Sequence, residues 1–438
     1  MKEKYYGISK CVAMLNEKQN IQLRDNAVPI DFPESIASLS EDDFKVDESV
    51  PRRDFRDDIV FTLDCDSCKD MDDAISVTKD VNYYLNVHIA DVSAYVTPLS
   101  ELEQIIQIRG TSFYLPDKTI PMLPPVLSEN LCSLNAGKDR YTLSVLMEIS
   151  PNGELLNYEL TKGIIHSRVK GVYSEVDLIL NGSKAHDLLY KYREVSDSFS
   201  NMVALYEVLR EKRIKRGSLP EKNDKPIITV TKDDIKLTPR KRGLSEQIIE
   251  SFMIEANYAV SMYLAENDLP AIFRVQETEE TMASYQPVVT QHKSLRLESY
   301  VHFTSPIRRS SDYYLHRLIS LHLAGYTSEV IHAIYDEELP FICSRATKRS
   351  RTAKSIQNRC ERICYETYFN EHQEQRHSGI IVGFKDRRFP IIKINEYNLN
   401  IISFAIVGGN IGDKYSFNVA MGKTCKSLVA YKVRRLAA

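Results

Sequence analysis

The residues best suited to chemistry in this chain are five aspartates packed into ten positions. They are Asp64, Asp66, Asp70, Asp72 and Asp73. Apolar runs at 59–63 and 74–77 flank them, and such runs are typical of buried strands. Crowded carboxylates raise one another's pKa, and burial raises it further. A hard divalent cation removes both penalties because it prefers carboxylate oxygens. The segment therefore suggests a Mg²⁺ or Mn²⁺ site, although a solvated acidic loop explains such a cluster equally well.

Two other metal sites are less consistent with this segment. An EF-hand loop starting at Asp64 would need glycine where Lys69 stands and glutamate where Ile75 stands, so a calcium loop is excluded. Cys65 and Cys68 form one C-x-x-C pair, which is weak evidence for zinc without a second pair nearby. We interpret these cysteines as small buried residues.

The motifs around the aspartates resemble a known family. Residues 61–64 (F-T-L-D) and 69–76 (K-D-M-D-D-A-I-S) resemble the catalytic signature of the ribonuclease II/ribonuclease R (RNB) family, whose members are processive hydrolytic 3′→5′ exoribonucleases. A second signature follows in the family order at 300–309, Y-V-H-F-T-S-P-I-R-R. The resemblance is close over 51–376 and loose over 377–438.

The resemblance implies roles for individual residues. Asp64, Asp70, Asp72 and Asp73 would hold two Mg²⁺ ions about 4 Å apart, with Mn²⁺ as a possible substitute. Asp72 would be the catalytic aspartate that tolerates replacement least, and Arg308 would neutralise charge on the scissile phosphate. The implied RNA-binding residues are Tyr114, stacking on the last base; Tyr173, holding the 3′-terminal nucleotides; Glu250, on the terminal ribose; Arg309, on phosphate or in a structural ion pair; and Glu361, near the RNA end.

One position departs from the family pattern. Many members place a phenylalanine that clamps the stacked bases where this chain has Glu221. Base stacking contributes about 1–3 kcal/mol per base. We therefore expect a weaker grip on RNA more than weaker chemistry.

The elements that position these residues follow from periodicity. Alternating apolar residues predict strands at 84–93 and 142–149. In the first of these strands, His88 and Asp91 could be functional or simply buried polar residues. Thr304 or Ser305 could cap a helix that begins at Pro306 and binds phosphate at its start. Residues 345–372 predict a long basic helix, and the short β-rich runs after residue 379 suggest an OB-type barrel.

These elements predict an α+β fold with three parts. We expect a short N-terminal segment and linker at 1–50, an RNB catalytic domain at 51–376, and an OB-like β-barrel RNA-binding domain at 377–438. The catalytic domain would be a mixed sheet flanked by helices, enclosing a channel that admits only single-stranded RNA. About fifty residues are too few for the N-terminal cold-shock barrels that family members often carry, and whether this segment recruits a protein partner stays open.

Composition indicates the cellular compartment of the protein but not its function. The net charge of −3 over 438 residues gives no bulk signal for nucleic acid. Eight scattered cysteines and the lack of an N-terminal signal core favour a cytoplasmic protein with reduced thiols, and no apolar run is long enough for a membrane span. We expect a monomeric exoribonuclease that binds single-stranded RNA. The alternatives are a catalytically impaired RNA-binding protein on the same fold and a metal-dependent DNA exonuclease.

Overall fold

The computed structural model describes residues 10–47, 49–218, 225–422 and 427–436. The helices within these ranges are α1 Lys10–Asp25, α2 Glu34–Ala37, α3 Glu101–Arg109, α4 Tyr173–Leu180, α5 His186–Lys191, α6 Ser196–Lys215, α7 Leu244–Glu266, α8 Ser310–Leu323, α9 Ser328–Tyr335 and α10 Leu339–Glu371. The strands are β1 Arg53–Phe55, β2 Thr62–Asp64, β3 Asp73–Lys79, β4 Tyr83–Ala90, β5 Phe113–Tyr114, β6 Thr119–Ile120, β7 Asp139–Ile149, β8 Leu155–His166, β9 Lys170–Val172, β10 Ile227–Val230, β11 Ile235–Thr238, β12 Phe273–Val275, β13 Ser284–Gln286, β14 His377–Lys385, β15 Phe389–Ile394, β16 Leu399–Ser403, β17 Lys414–Met421 and β18 Leu428–Arg435.

A five-stranded mixed sheet forms the centre of the larger part of the fold. Its strand order is β1-β8-β7-β4-β3, with β1 parallel to β8 and the other neighbours antiparallel. Alternate residues Leu85, Val87 and Ile89 of β4 are fully buried, as the period of two predicts for a strand on a core. Helices α6, α7 and α8 all contact this sheet. The predicted α+β architecture is confirmed.

The base of the aspartate loop is closed by strand pairing. Phe61 and Ile75 exchange backbone hydrogen bonds of 3.1 and 2.9 Å, so the two apolar runs lie side by side. Strand β2 ends at Asp64 and β3 begins at Asp73. The residues between them therefore project from one end of the paired segments.

Two polar residues of β4 and its end are structural. His88 is fully buried, and its Nδ1 lies 2.9 Å from the Ser144 hydroxyl. The buried Asp91 carboxylate accepts from Arg52 at 2.9 Å and from Lys162 at 3.1 Å. The sequence left open whether these residues are functional or buried polar residues, and their contacts fit the second description.

Helix α10 connects the sheet to a closed barrel of strand order β14-β15-β16-β18-β17. Tyr365, Tyr368 and Phe369 of α10 pack into the barrel core. The predicted long basic helix and C-terminal barrel are both confirmed. The domain boundary at 376/377 stays a prediction, and it falls in the short connection between α10 and β14.

The N-terminal helix α1 packs against α10. Leu15 joins Cys364 in one buried cluster, and Leu23 joins Ile356 in another. Across the described part of the chain, none of the helices combines the length and the apolar character needed to traverse a bilayer.

Candidate active site

A single cavity of about 550 Å³ is lined by nine of the predicted site residues. These are Asp64, Asp70, Asp72, Asp73, Tyr114, Tyr173, Glu250, Arg308 and Arg309. They come from the end of β2, the loop that follows it and the start of β3, from β5, from the first residue of α4, from the N-terminal half of α7, and from the turn before α8. The tertiary fold therefore brings both signatures to one place.

Asp72 joins the two signatures directly. Its Oδ1 accepts a hydrogen bond of 2.8 Å from the backbone N–H of Ile307, and its Oδ2 accepts one of 3.2 Å from Arg308 Nε. The Asp72 side chain is only 3% exposed. Burial raises its pKa well above the usual value, and Arg308 and the Ile307 amide only partly oppose that rise. Burial disfavours the charge of Arg308 as well, but Asp72 and the further acidic side chains around it together outweigh burial, so the pKa of Arg308 is raised.

The other three aspartates also place carboxylates in the cavity. Asp64 Oδ1 accepts from the Cys65 amide at 2.7 Å, and Asp70 Oδ2 accepts from the Tyr114 hydroxyl at 3.2 Å. Burial and the nearby Asp64 raise the pKa of Asp73 to about 7. Four carboxylates in one cavity, two of them with raised pKa values, are an all-oxygen donor set. By its donor chemistry this set suits a hard divalent cation such as Mg²⁺. Within the described part of the chain, however, the trio of donor atoms that lies within 4.8 Å of one another is that of Asp64, Cys65 and Cys68.

The turn that carries Arg308 is not the predicted helix start. Helix α8 begins at Ser310, so the expected cap at Thr304 or Ser305 is wrong. The Ser305 amide instead donates to Asp312 Oδ2 at 2.9 Å, and the Ile307 amide is committed to Asp72. Because these amides bond to carboxylates, the segment cannot present them together to a phosphate.

The two adjacent arginines divide their contacts. Arg308 donates from Nη2 to the Ser305 hydroxyl at 2.7 Å and is 40% exposed toward the cavity. Arg309 donates from Nε and Nη2 to Asp312 Oδ2 at 3.1 and 2.7 Å. The ion-pair interpretation of Arg309 therefore describes its contacts, and its side chain also lines the cavity.

Glu250, Tyr114 and Tyr173 also line the cavity. Glu250 forms an ion pair with Arg242 and lies 3.3 Å from Arg213 Nη2. Tyr114 is 39% exposed, so its ring is available for stacking. Tyr173 lies at the start of α4, where its carbonyl accepts from the Ser245 hydroxyl at 3.2 Å. Their RNA-binding roles stay predictions.

Two residues with sequence-based roles lie elsewhere. Glu361, on α10, accepts from Lys225 Nζ at 2.9 Å and from Gln357 Nε2 at 2.8 Å, and it does not line this cavity. Glu221 falls outside the described residues.

The cavity also contains residues that sequence reasoning did not assign to it. They are Cys65, Cys68, Arg240, Arg242, Glu246 and His302, among others. His302 Nδ1 is hydrogen-bonded to the Tyr285 hydroxyl at 2.8 Å. Burial, together with the charge of Arg309, keeps the pKa of His302 well below the usual value. Two features of the sequence could have assigned these residues to the site: His302 lies inside the second signature, and Arg240 and Arg242 belong to the R-K-R run at 240–242. The interpretation of both cysteines as buried is wrong, because Cys65 is exposed and Cys68 is half-buried.

Comparison with known proteins identifies the family of the chain. The RNB domain profile matches residues 52–284 and 281–325. Ribonuclease R 1 of Lactococcus lactis is 32% identical over 414 residues, a match that covers 81% of this chain and 50% of that protein. The chain thus spans about half the length of this relative.

Solved structures extend the similarity to the fold. The apo form of Mycoplasma genitalium RNase R matches with a TM-score of 0.81 at 21% identity, over 95% of this chain and 78% of that one. The same enzyme in complex with ribose-methylated single-stranded RNA gives 0.78. Yeast Ssd1, described as a pseudonuclease, gives 0.68 at 16% identity, over 92% of this chain and 57% of that one. With more than half of its residues matched by the family profile, this chain belongs to the RNB family, together with ribonuclease R.

Proposed function

We propose that this chain is a hydrolytic 3′→5′ exoribonuclease that degrades single-stranded RNA, as a monomer, to nucleoside 5′-monophosphates. The observation that carries the proposal is the pair of bonds from the Asp72 carboxylate to Ile307 and Arg308. These bonds hold a cation-binding carboxylate and a phosphate-binding guanidinium in one cavity, which is the pairing that phosphodiester hydrolysis needs.

Asp64, Asp70, Asp72 and Asp73 would hold Mg²⁺, with Mn²⁺ as a substitute. When bound, the cation supplies a hydroxide at neutral pH and offsets negative charge on the reacting phosphate. The residues of the chain do the rest. Asp72 accepts from Arg308 Nε and Ser305 accepts from Nη2, so the two together orient the guanidinium, whose side chain is partly exposed and lines the cavity. A planar fork of this kind suits two phosphate oxygens at once.

The cavity wall would select the 3′ end of a single strand. Tyr114 would stack on the last base, with its hydroxyl kept in place by the 3.2 Å bond to Asp70. Glu250 would accept from a ribose hydroxyl, the group that distinguishes RNA from DNA. Its ion pair with Arg242 holds the carboxylate at the cavity wall. The RNA-bound M. genitalium enzyme, which shares this fold, supports RNA as the ligand.

A second candidate is an RNA-binding protein that no longer cleaves. The fold similarity to the pseudonuclease Ssd1 favours it, because this architecture persists in a protein so described. Glu221 at the expected clamp position favours it mildly. The four aspartates and Arg308 that line one cavity favour the enzyme.

The test is a time course on three substrates of one base sequence: linear RNA and linear DNA, each labelled at the 5′ end, and circular RNA labelled at one internal phosphate. With Mg²⁺, we expect the linear RNA to shorten through a ladder to a short labelled product, the circle and the DNA to persist, and EDTA to stop the reaction. Cleavage of the circle would mean an endonuclease, and shortening of DNA at the same rate would mean a nuclease without ribose selectivity. Tight RNA binding without shortening in either metal would establish the second candidate.

A further inference from the structure

The proposed reaction leaves two thiols of the cavity unused. Cys65 is exposed, Cys68 is half-buried, and both line the cavity next to Asp64. Asp64, Cys65 and Cys68 each offer one donor atom, and these three atoms all lie within 4.8 Å of one another. We propose that these side chains form a binding site for a thiophilic divalent cation, Zn²⁺ above all, at the edge of the aspartate cavity.

The backbone of the loop brings the two sulfurs together. The Cys68 amide donates to the Cys65 carbonyl at 3.1 Å, which closes a tight turn directly after β2. Cys68 Sγ lies 3.1 Å from Asp64 Oδ2. Ligands held tetrahedrally at about 2.0–2.3 Å from zinc lie about 3.3–3.8 Å apart. The Cys68–Asp64 pair is already near that spacing, and Cys65 Sγ lies within 4.8 Å of the other two donor atoms.

The donor set selects the metal. Two sulfurs and one carboxylate oxygen suit Zn²⁺, whereas Mg²⁺ prefers oxygen ligands alone. The fourth position can be taken by water or by Asp70, whose Oδ1 lies 3.5 Å from Cys68 Sγ. On binding, the two thiols release their protons to solvent and no electron is transferred.

The neighbouring lysines leave the three donors free. Lys170 Nζ donates to the backbone carbonyls of Asp66 and Cys68 at 2.9 and 2.7 Å, which holds the loop by its main chain. Lys69 Nζ lies 3.4 Å from the Glu129 carboxylate instead. The loop is therefore braced by cations that do not compete for the donor atoms.

Zinc at this site would inhibit the nuclease. Asp64 is shared between the three-donor site and the proposed magnesium site, so Zn²⁺ withdraws one carboxylate from Mg²⁺. This consequence rests on the proposed function, whereas metal binding by the two thiols does not.

The experiment uses the full chain, kept reduced with a phosphine, and Co²⁺ as the spectroscopic probe. We expect one equivalent of Co²⁺ to produce a thiolate-to-cobalt charge-transfer band that Zn²⁺ then displaces. The Cys65→Ser/Cys68→Ser double variant should lose the band. Its Zn²⁺ affinity should fall at least about tenfold, since even outer-shell changes cost that much. Asp66→Asn is the matched control, because it removes charge from the same loop and leaves the three donors in place.

In the RNA assay at fixed Mg²⁺, Zn²⁺ should slow the wild type more than the double variant, each relative to its own rate without zinc. A wild type with no band, or a double variant with an unchanged band, overturns the site. Cys65→Ser alone, at an exposed position, preserves the test if the double variant does not fold. A chain that shows the band but degrades no RNA keeps the metal site and overturns the proposed function.

Discussion

Replacing Asp72 by asparagine separates the proposed chemistry from folding and from RNA binding. The amide has the shape of the carboxylate, so its oxygen can still accept from the Ile307 N–H that now bonds Oδ1 at 2.8 Å. Its NH₂ group would face Arg308 Nε, where the carboxylate now accepts at 3.2 Å. One charge-assisted hydrogen bond and one anionic metal ligand are therefore lost.

The size of each effect follows from burial. A hydrogen bond to a charged group contributes about 1.5–3 kcal/mol, but Arg308 is partly exposed and water can hydrate it, so we expect a stability loss of no more than about 1–2 kcal/mol. Removing one preorganised electrostatic group from a transition state costs about 10²–10³-fold in kcat. Turnover should therefore fall at least about 10²-fold while RNA binding holds or improves, because a negative charge leaves the phosphate site.

The assay compares single-turnover degradation of 5′-labelled oligoadenylate with binding of the same RNA by fluorescence anisotropy. Asp66→Asn is the control, since Asp66 is exposed, lies in the same loop and does not line the cavity. It should keep most of the wild-type rate. If Asp72→Asn turns over at close to the wild-type rate, Asp72 is not the catalytic aspartate. If both variants lose the same fraction of their rate, the cause is the total charge of the loop and not Asp72 in particular.

Three further predictions concern single side chains. Arg308→Lys should slow turnover more than about tenfold, because lysine lacks the fork that bonds both Asp72 and phosphate. Arg309→Lys should instead mainly lower the unfolding free energy, because the arginine bonds to Asp312. Single-turnover rates and urea titrations distinguish the two effects, and equal rate losses in both variants would contradict these separate roles. Tyr114→Ala should lengthen the final labelled product on a sequencing gel, because stacking worth about 1–3 kcal/mol is lost, and Tyr114→Phe should not change it. His88 should weaken the fold in acid: burial lowers its folded pKa to about 3, so below its ordinary pKa of 6.5 the unfolded chain takes up the proton first and the unfolding free energy falls as pH falls. Between pH 7 and pH 5 the unfolding free energy should fall by about 2 kcal/mol for this reason. Urea titrations of His88→Gln at the two pH values should lack this part of the fall. If the variant loses as much unfolding free energy as the wild type, His88 is not its source.

Local patterns predicted much of the fold. The alternation in β4 and β7, the long basic helix and the β-rich C-terminal end all appear in the structure, because periodicity records which faces are buried. The predicted helix cap at Thr304 or Ser305 was wrong because capping rules consider only nearby partners. In the fold, the Asp312 carboxylate accepts a hydrogen bond from the Ser305 amide, and the Asp72 carboxylate accepts one from the Ile307 amide.

Within the candidate site, the sequence by itself determined the donors: the residue types and the spacing of Asp64 to Asp73, and the arginine pair of the second signature. Only the tertiary structure decided how they are used. It bonded Asp72 to Arg308 across the chain, paired Glu361 with Lys225 outside the cavity, and left Cys65 exposed beside Asp64. The physical reason is that ligand chemistry is a property of each side chain. Burial, pKa and bonding partners depend instead on which distant segments the packing brings within hydrogen-bonding distance.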